Sequence, residues 1–408
     1  MQICIFTNLY LSLQKIIIMT IHNKTGSPVE GDDFFNRVKE LAFAWGHIQK
    51  GNSLILSAPR RVGKSSFAKK ILSLARQEGW NTIEINLEEI KSEIGFVQLT
   101  VEKIQEQSWW EKIKNKYQSI VDQILSSVKP TIEYEGVKAT LDWQSKKADV
   151  YDKLKKLFDH EKNTLIMLDE VTILLNTFLE DKENGIHHAT FFLNWLRGFR
   201  QVSGTKIRWI YCSSIGIDNF THQHHLSYTF NDVDTFPIGA FDDATSHELL
   251  IKLAESDKLD ISQDIRENIL AKIGWKLPFF IQLLYSKILY AVKVEGEPLS
   301  IDTVEKAYSK LITEKHLNTW DERLDQYGQL EGYARIVLNH LSNNPAGESR
   351  AILDTVLHSR LTDAEERKIV LSRLLTMLTN DGYLAENEGK YLFRSSLLKD
   401  FWFNRFEK

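Results

Sequence analysis

Residues 53–72, SLILSAPRRVGKSSFAKKIL, decide the fold. A short apolar run is followed by a polar turn that ends in Gly63, Lys64 and Ser65, and then by residues with helical periodicity. Gly63 lets backbone amides approach phosphate oxygens, Lys64 brings a cation to the β and γ phosphates, and Ser65 offers a hydroxyl to Mg²⁺. The N-terminus of the helix adds its positive end. Strand, loop and helix in this order predict a P-loop.

The loop departs from the pattern G-x-x-x-x-G-K-[ST] at its first position, where Ala58 replaces glycine. Because alanine tolerates positive φ poorly, the opening of the loop must have ordinary backbone angles. An accidental Gly-Lys-Ser is the alternative, and the strand-loop-helix context argues against it. The residues predicted to bind a nucleotide here are Ala58, Pro59, Arg60, Arg61, Val62, Gly63, Lys64, Ser65 and Ser66.

A pair of acids, Asp169 and Glu170, ends the apolar run TLIMLDEV about 100 residues after the loop. In a Walker B element the first acid holds Mg²⁺, and an adjacent glutamate can orient or deprotonate the attacking water. A solvated turn is the alternative for two acids at a strand end. The upstream loop favours Walker B, which predicts Ser65 and Asp169 as metal ligands and gives Glu170 and Lys64 catalytic roles.

A third polar strand end lies in KIRWIYCSSIG, where Ser213 and Ser214 could sense the γ phosphate at the same sheet edge. Ordinary loop chemistry explains two serines equally well. Before this strand, Arg197 and Arg200 share one helical face. Either could act as an arginine finger, but we favour pairing with carboxylates on the surface.

The first 240 residues alternate between strand-like apolar runs and helical periodicity, which predicts an α/β fold with a central parallel sheet. The stretch from Ile94 to Glu161 elaborates this sheet and includes alternation in TIEYEGVKATLDW, residues 131–143. The predicted strands are Leu54 to Ser57, Thr82 to Asn86, Thr164 to Leu168, Ile207 to Cys212 and Thr235 to Ile238.

After Phe241 helices replace strands, which predicts a helical lid. Beyond a polar segment at 318–332, three helices are predicted at 333–341, 349–357 and 364–378, the third opened by a capping box from Thr362 to Glu365. The alternating YLAENEGKYLF then predicts a hairpin. Together these elements predict a C-terminal winged helix-turn-helix. The expected domains are an N-terminal extension (1–25), a P-loop ATPase domain (26–240), the lid (241–325) and the winged helix (326–408).

The composition is that of a globular protein: of 408 residues 43% are hydrophobic and 26% charged, with a net charge of -4. This charge gives no general attraction to nucleic acid or anionic membrane. Two cysteines cannot form a disulfide framework, which favours the cytoplasm. The apolar start MQICIFTNLYLSLQKIIIM lacks a signal-peptide cleavage site and is too interrupted to span a membrane stably, so we favour a true start at Met19 over an anchor.

From Gly26 onward the sequence resembles the archaeal-ATPase group of STAND P-loop ATPases, within the wider AAA+ class. The resemblance rests on SPVEGDDFFNR, APRRVGKSS, LIMLDE, CSSIGI, GWKLPFFIQLL and the ending DGYLAENEGKYLFRSSLLKDFWFNRF. It implies that Pro278 packs in the lid near the adenine and that Val29 and the stretch from Asp32 to Arg37 border the base. A helix-start proline is an equal alternative for Pro278.

The resemblance implies a switch that binds ATP or ADP with Mg²⁺, hydrolyses ATP slowly and acts in stress or phage-defence signalling. The alternative is a DNA-binding ATPase resembling origin-recognition or transposition ATPases, and a scaffold with negligible hydrolysis is a third class. Residues 330–408 contain 11 basic and 11 acidic side chains, and the wing carries Glu386 and Glu388. Arg367, Lys368 and Arg373 on the third predicted helix could still contact a DNA groove. Because acids oppose phosphate, we favour a protein partner or self-association over DNA.

Overall fold

The computed structural model describes residues 21–133, 137–158, 162–213 and 216–406. Residues 1–20 of the predicted N-terminal extension, and the candidate sensor Ser214, lie outside this description. The described chain forms two compact units. The first contains residues 37–57 and 64–237, and the second contains residues 21–36, 58–63 and 238–406.

The first unit is an α/β structure around one sheet. Its elements are α1 (Val38–Gln49), β1 (Leu54–Ser57), α2 (Lys64–Gln77), β2 (Asn81–Asn86), α3 (Glu93–Gln105), α4 (Trp110–Glu133), α5 (Val137–Phe158), β3 (Thr164–Asp169), α6 (Val171–Phe178), α7 (Gly185–Arg200), β4 (Ile207–Cys212), α8 (Ile217–Gln223) and β5 (Asp234–Pro237). The strands are parallel, in the order β2-β3-β4-β1-β5. The predicted parallel sheet is confirmed, and each strand lies within one residue of its predicted bounds.

The central strands end together at one edge. Residues Leu165 to Leu168 of β3 are fully buried, as expected for a strand covered on both faces. In the register of the sheet Asn86 pairs with Asp169, and Leu56 pairs with Cys212. Because the strands are parallel, this places the polar residues that follow them at a common carboxyl edge.

The alternating stretch at 131–143 does not add strands to the sheet. Where it is described, its backbone is helical, in the last turn of α4 and the first turns of α5. Alternation over so few residues does not distinguish a strand from a helix with mixed faces, and the long helices on either side determine the outcome.

The second unit is mainly helical. Its helices and strands are α9 (Asp243–Ser256), α10 (Gln263–Ile273), α11 (Pro278–Lys293), α12 (Ile301–Leu311), α13 (Asn318–Glu322), α14 (Glu331–Asn343), β6 (Glu348–Ser349), α15 (Arg350–Leu357), α16 (Ala364–Asn380), β7 (Leu384–Asn387), β8 (Lys390–Phe393) and α17 (Ser396–Phe406). Helix α16 begins at Ala364, as predicted, but its capping residue is Asp363 and not the predicted Thr362: the Asp363 carboxylate accepts from the backbone N–H of Glu366 at 2.7 Å.

The C-terminal part of this unit has the three predicted helices, α14 to α16, an antiparallel sheet of order β6-β8-β7, and a fourth helix, α17, after the hairpin. This order of elements agrees with the winged-helix prediction, and the assignment itself stays a prediction. The polar segment before α14 is helical and well anchored. Arg323, which is 2% exposed, donates to Asp381 at 2.9 Å, and the Tyr327 hydroxyl donates to the same carboxylate at 2.8 Å.

Among the described residues, no helix combines the length and the apolar character needed to cross a membrane.

Candidate functional site

The P-loop serine and the first Walker B acid are hydrogen-bonded to each other. Ser65, the second residue of α2, donates from Oγ to Oδ2 of Asp169, the last residue of β3, at 2.8 Å. The two residues are 104 positions apart in the chain. The sheet and the helix that follows β1 therefore bring together the two residues predicted to bind a metal.

The surroundings of Asp169 suit a divalent cation. Burial raises the pKa of this carboxyl, the hydrogen bond from Ser65 lowers it, and the charge of Glu170 raises it again, so that the net pKa is above its ordinary value. A bound cation would favour the charged form. A hydroxyl and a carboxylate are the hard oxygen donors that Mg²⁺ prefers, so the residues present fit this ion.

Glu170 adopts an unusual backbone conformation at the end of β3. Its φ of 57° and ψ of 41° place it in the left-handed region, which non-glycine residues seldom occupy. Its backbone N–H donates to Oδ1 of Asp169 at 3.1 Å. Strained conformations of this kind persist where the surrounding structure fixes them, often at functional sites. The backbone of Glu170 therefore adds to the reasons to treat it as a candidate functional residue.

Lys64 begins α2 and is 8% exposed. Its charge lowers the pKa of Asp169, which places the ammonium near the acid edge of the sheet. Ser66, also predicted to bind the nucleotide, is buried in the first turn of the same helix. The first backbone N–H groups of a helix lack intrahelical acceptors and carry partial positive charge. Lys64 and the start of α2 together form an electropositive position for an anion.

Ser213, the candidate sensor, contacts the Walker B segment through Thr172. The two hydroxyls are hydrogen-bonded, and Ser213 Oγ also accepts from the backbone N–H of Thr172 at 3.4 Å. Both side chains are buried. The sequence had not indicated Thr172, although its place three residues after Asp169 is a signal that could have identified it. Ser213 is thus connected to the helix that follows Glu170.

The arginine Arg200 is engaged within its own chain. Its guanidinium pairs with Asp232 at 2.9 Å and donates to the Tyr211 hydroxyl at 2.8 Å, and its side chain is 4% exposed. Pairing with a carboxylate was the favoured alternative to an arginine finger, although here the guanidinium is buried and only its partner Asp232 is exposed. Arg197 lies over the ring of Tyr228, 5.6 Å from its centroid.

The opening of the P-loop, residues 58–63, packs within the second unit. Positive φ occurs at Arg61 (64°) and Gly63 (98°) and not at Ala58, so the prediction for the opening residue is confirmed. Val62 is fully buried. The guanidinium of Arg61 lies 4.4 Å from the ring centroid of Phe279, a contact that the sequence did not indicate.

Pro278 is the first residue of α11. Proline suits this position because its missing N–H would have no acceptor within the helix. The helix-start alternative therefore accounts for Pro278, and its proximity to adenine stays a prediction. In the stretch predicted to border the base, Gly31–Asp33 forms a 3₁₀ turn and Asp33 binds His22 and Lys24.

No protein-family model and no curated protein sequence matches this chain. Solved structures do match. A Walker-type ATPase of Pyrococcus abyssi has a TM-score of 0.59 at 15% identity, with 95% of this chain and 99% of that chain covered. The ORC2 protein of Aeropyrum pernix, solved in ADPNP–ADP complexes, has a TM-score of 0.51 at 13% identity, with 90% and 91% covered. Likeness at such identities concerns architecture, and it agrees with the five-stranded parallel sheet and the P-loop. The chain has the fold of AAA+ P-loop ATPases.

Proposed function

We propose that this protein is a molecular switch of the STAND/AAA+ type that binds ATP and hydrolyses it slowly. The observation that carries the proposal is the hydrogen bond between Ser65 and Asp169, with Lys64 at the start of the same helix and Glu170 next in the chain. A hydroxyl and an acid placed together are the ligands through which P-loop ATPases hold Mg²⁺.

The residues divide the chemistry among them. Lys64 and the first N–H groups of α2 would hold the β and γ phosphates. Ser65 and Asp169 would hold Mg²⁺, which neutralises charge that develops on the phosphates when it is bound. Glu170 would accept a proton from the attacking water or orient it. The contact of Ser213 with Thr172 supports a sensor role for that serine.

The switch would couple the nucleotide state to the docking of the C-terminal helices and hairpin. Support comes from the second unit, in which loop residues 58–63 cluster with residues 238–406. Signalling in stress or phage defence is the role that we propose on the resemblance of the motifs. ATP and ADP are the expected ligands.

A protein partner or self-association is favoured over DNA. Arg367 on α16 is buried and donates to Asp354 and to backbone carbonyls, so it is not available to a DNA groove. Lys368 is paired with Glu365 at 2.8 Å, and Arg373 is exposed on the same helix. The exposed hairpin carries acids, with Glu386 in β7 and Glu388 in the turn. Weak, salt-insensitive binding to duplex DNA is therefore expected. A protein that neutralised six phosphates would instead show a slope of about -5 when the logarithm of the binding constant is plotted against the logarithm of the salt concentration.

Two substitutions test the proposal by separating binding from chemistry. Lys64→Ala should weaken ATP roughly 10- to 100-fold, because it removes a charge-assisted contact. Lys69→Ala is the control, since Lys69 lies on the same helix and pairs with Glu84 instead. Glu170→Gln should bind ATP but release phosphate slowly. Unchanged ATP affinity in folded Lys64→Ala, measured by calorimetry, would show that the loop does not bind the nucleotide.

A further inference from the structure

We infer that Arg60 and Arg61 are positioning residues and that Phe279, Thr319 and Gly382 set the affinity of the P-loop for phosphates. All three partners lie more than 200 positions after the loop. They act through the shape of the loop backbone and not by touching the phosphates. The inference rests on the proposed ATP binding and adds to it the contacts that hold the loop ready.

The backbone of Arg61 requires support from its surroundings. Its φ of 64° is seldom adopted by a residue with a Cβ atom, and such conformations persist where neighbouring contacts fix them. The stacking of its guanidinium on Phe279 is such a contact. A left-handed residue within a turn directs successive N–H groups into one concavity, which is how backbone amides hold anions. Losing the stacking contact therefore disturbs the amides that would face phosphate.

A second contact fixes the loop two residues earlier, at Pro59. Gly382, in the turn between α16 and β7, has a φ of 87°. A Cβ atom added there would lie 2.8 Å from the Cβ of Pro59 and 2.7 Å from the ring of Trp275. These separations are too short for carbon atoms in contact. The close approach of the chain to Pro59 therefore requires glycine at 382.

Arg60 provides the third contact. Its guanidinium donates to the backbone carbonyl of Thr319 at 3.4 Å, in the turn that begins α13. Consecutive loop residues thus contact three separate segments: the start of α11, the start of α13 and the turn before β7. If these contacts raise the affinity of the loop for phosphates, then bound phosphates must stabilise the same contacts to the same extent, because coupling free energies are reciprocal.

The first test replaces the ring of Phe279. Phe279→Leu should weaken Mg-ATP and Mg-bound inorganic triphosphate by the same factor, roughly threefold to tenfold. Phe279→Tyr keeps an aromatic ring at this position, so both affinities should stay close to those of the unsubstituted protein. Tyr290→Leu is the matched control, because Tyr290 is an aromatic residue of the same helix that is 55% exposed. A loss for ATP with none for triphosphate would mean that Phe279 contacts the base, and the inference would be wrong.

A double-mutant cycle tests whether Phe279 acts through the arginine. If it does, Phe279→Leu should weaken triphosphate binding little further once Arg61→Ala is present, because residues in contact are not additive. Additive effects would overturn the inference. In steady-state hydrolysis the single variants should raise the KM for ATP while kcat changes little, since the loop is misplaced before chemistry begins.

Gly382→Ala should weaken triphosphate by at least the same factor. Gly347→Ala is its control: this glycine has a φ of 75° and its added Cβ would meet the Tyr391 carbonyl at 2.8 Å, so it gives similar strain in the same hairpin region without involving Pro59. Equal losses of affinity in both variants would contradict the inference.

If Gly382→Ala does not fold, the affinities of the Phe279 variants test the inference instead. Unchanged ATP affinity in Lys64→Ala would contradict the proposed function itself. If Lys64→Ala loses ATP affinity and Phe279→Leu does not, only the positioning role is refuted.

Discussion

Two carboxylates of the first unit, the half-buried Asp169 and the buried Glu93, have opposite electrostatic surroundings. Burial raises the pKa of both. At Asp169 burial and the charge of Glu170 prevail over the hydrogen bond from Ser65, and the pKa is raised. At Glu93 the contacts with His188 and Lys147 outweigh burial, and the pKa is lowered.

The contacts of Glu93 come from two other helices. Lys147 on α5 forms an ion pair with it, and His188 Nδ1 on α7 lies 3.0 Å from Oε2. The Trp143 indole N–H, also on α5, donates to Oε2 at 3.1 Å. Glu93 and Lys147 are 4% and 3% exposed. The charge of Glu93 is therefore paired with groups of the same chain, and these contacts hold α3 against α5 and α7.

Asp169 differs because its nearest charged neighbour in sequence is another acid. A carboxylate whose pKa is raised in a half-buried position is a candidate functional group, whereas one already held in ion pairs with cations is a candidate structural group. The difference teaches that removal from water alone does not identify a site. What separates the two acids is whether the surrounding groups favour the charged form on balance: they do at Glu93, and at Asp169 the contributions of Ser65 and Lys64 are outweighed.

The largest expected effect is on stability at Glu93. Glu93→Gln should lower the free energy of unfolding by about 3 kcal/mol or more, because removing one partner leaves the cation of Lys147 buried and uncompensated. Glu106→Gln is the matched control. Glu106 closes the same helix, and its pair with Lys103 is exposed, so about 1 kcal/mol or less should be lost. Denaturant titration measures both, and equal losses would remove the distinction between the two acids.

The second prediction concerns Asp169. Asp169→Asn should change the free energy of unfolding by less than about 1 kcal/mol, since burial and the charge of Glu170 oppose the charged form of this acid more than Ser65 and Lys64 favour it. The concentration of Mg²⁺ needed for half-maximal phosphate release should rise by at least roughly 10- to 100-fold, the range found when metal-site partners are lost. A Mg²⁺ titration with a denaturant curve on the same sample checks both. A loss of stability as large as that of Glu93→Gln would make Asp169 a structural acid.

The sequence predicted the sheet and the central residues of the site because their signals are local. Short apolar runs, several of them continuous in Ile, Leu or Val, identified the five strands, and the Gly63-Lys64-Ser65 turn together with the acids at the end of β3 marked the carboxyl edge. These patterns reflect burial on both faces and the needs of phosphate chemistry, which are visible within a few residues.

The contacts of Glu93 and of the loop could not be predicted in this way. His188 is 95 positions from Glu93, and Thr319 is 259 positions from Arg60. Such pairs depend on how helices pack, and a single sequence contains no local pattern for them. The left-handed backbone at Arg61 and Glu170 was equally hidden, because neither residue type favours it.

The smallest effect is a difference in pH dependence. A lowered pKa in the folded state gives Glu93 a stabilising contribution that is present above its ordinary value of 4.5 and is lost as the pH falls below it. The raised pKa of Asp169 acts in the opposite direction: the folded state gains stability as the pH falls through that pKa towards the ordinary value of 3.8.

The loss of unfolding free energy in Glu93→Gln, relative to the unsubstituted protein, should therefore shrink below pH 4.5. Any gain in unfolding free energy of Asp169→Asn over the unsubstituted protein should decrease as the pH is lowered, and this decrease should begin above pH 3.8. Denaturation curves of the three proteins at matched salt and stepped pH measure these differences. Parallel curves for the two variants would mean that the fold compensates both acids alike.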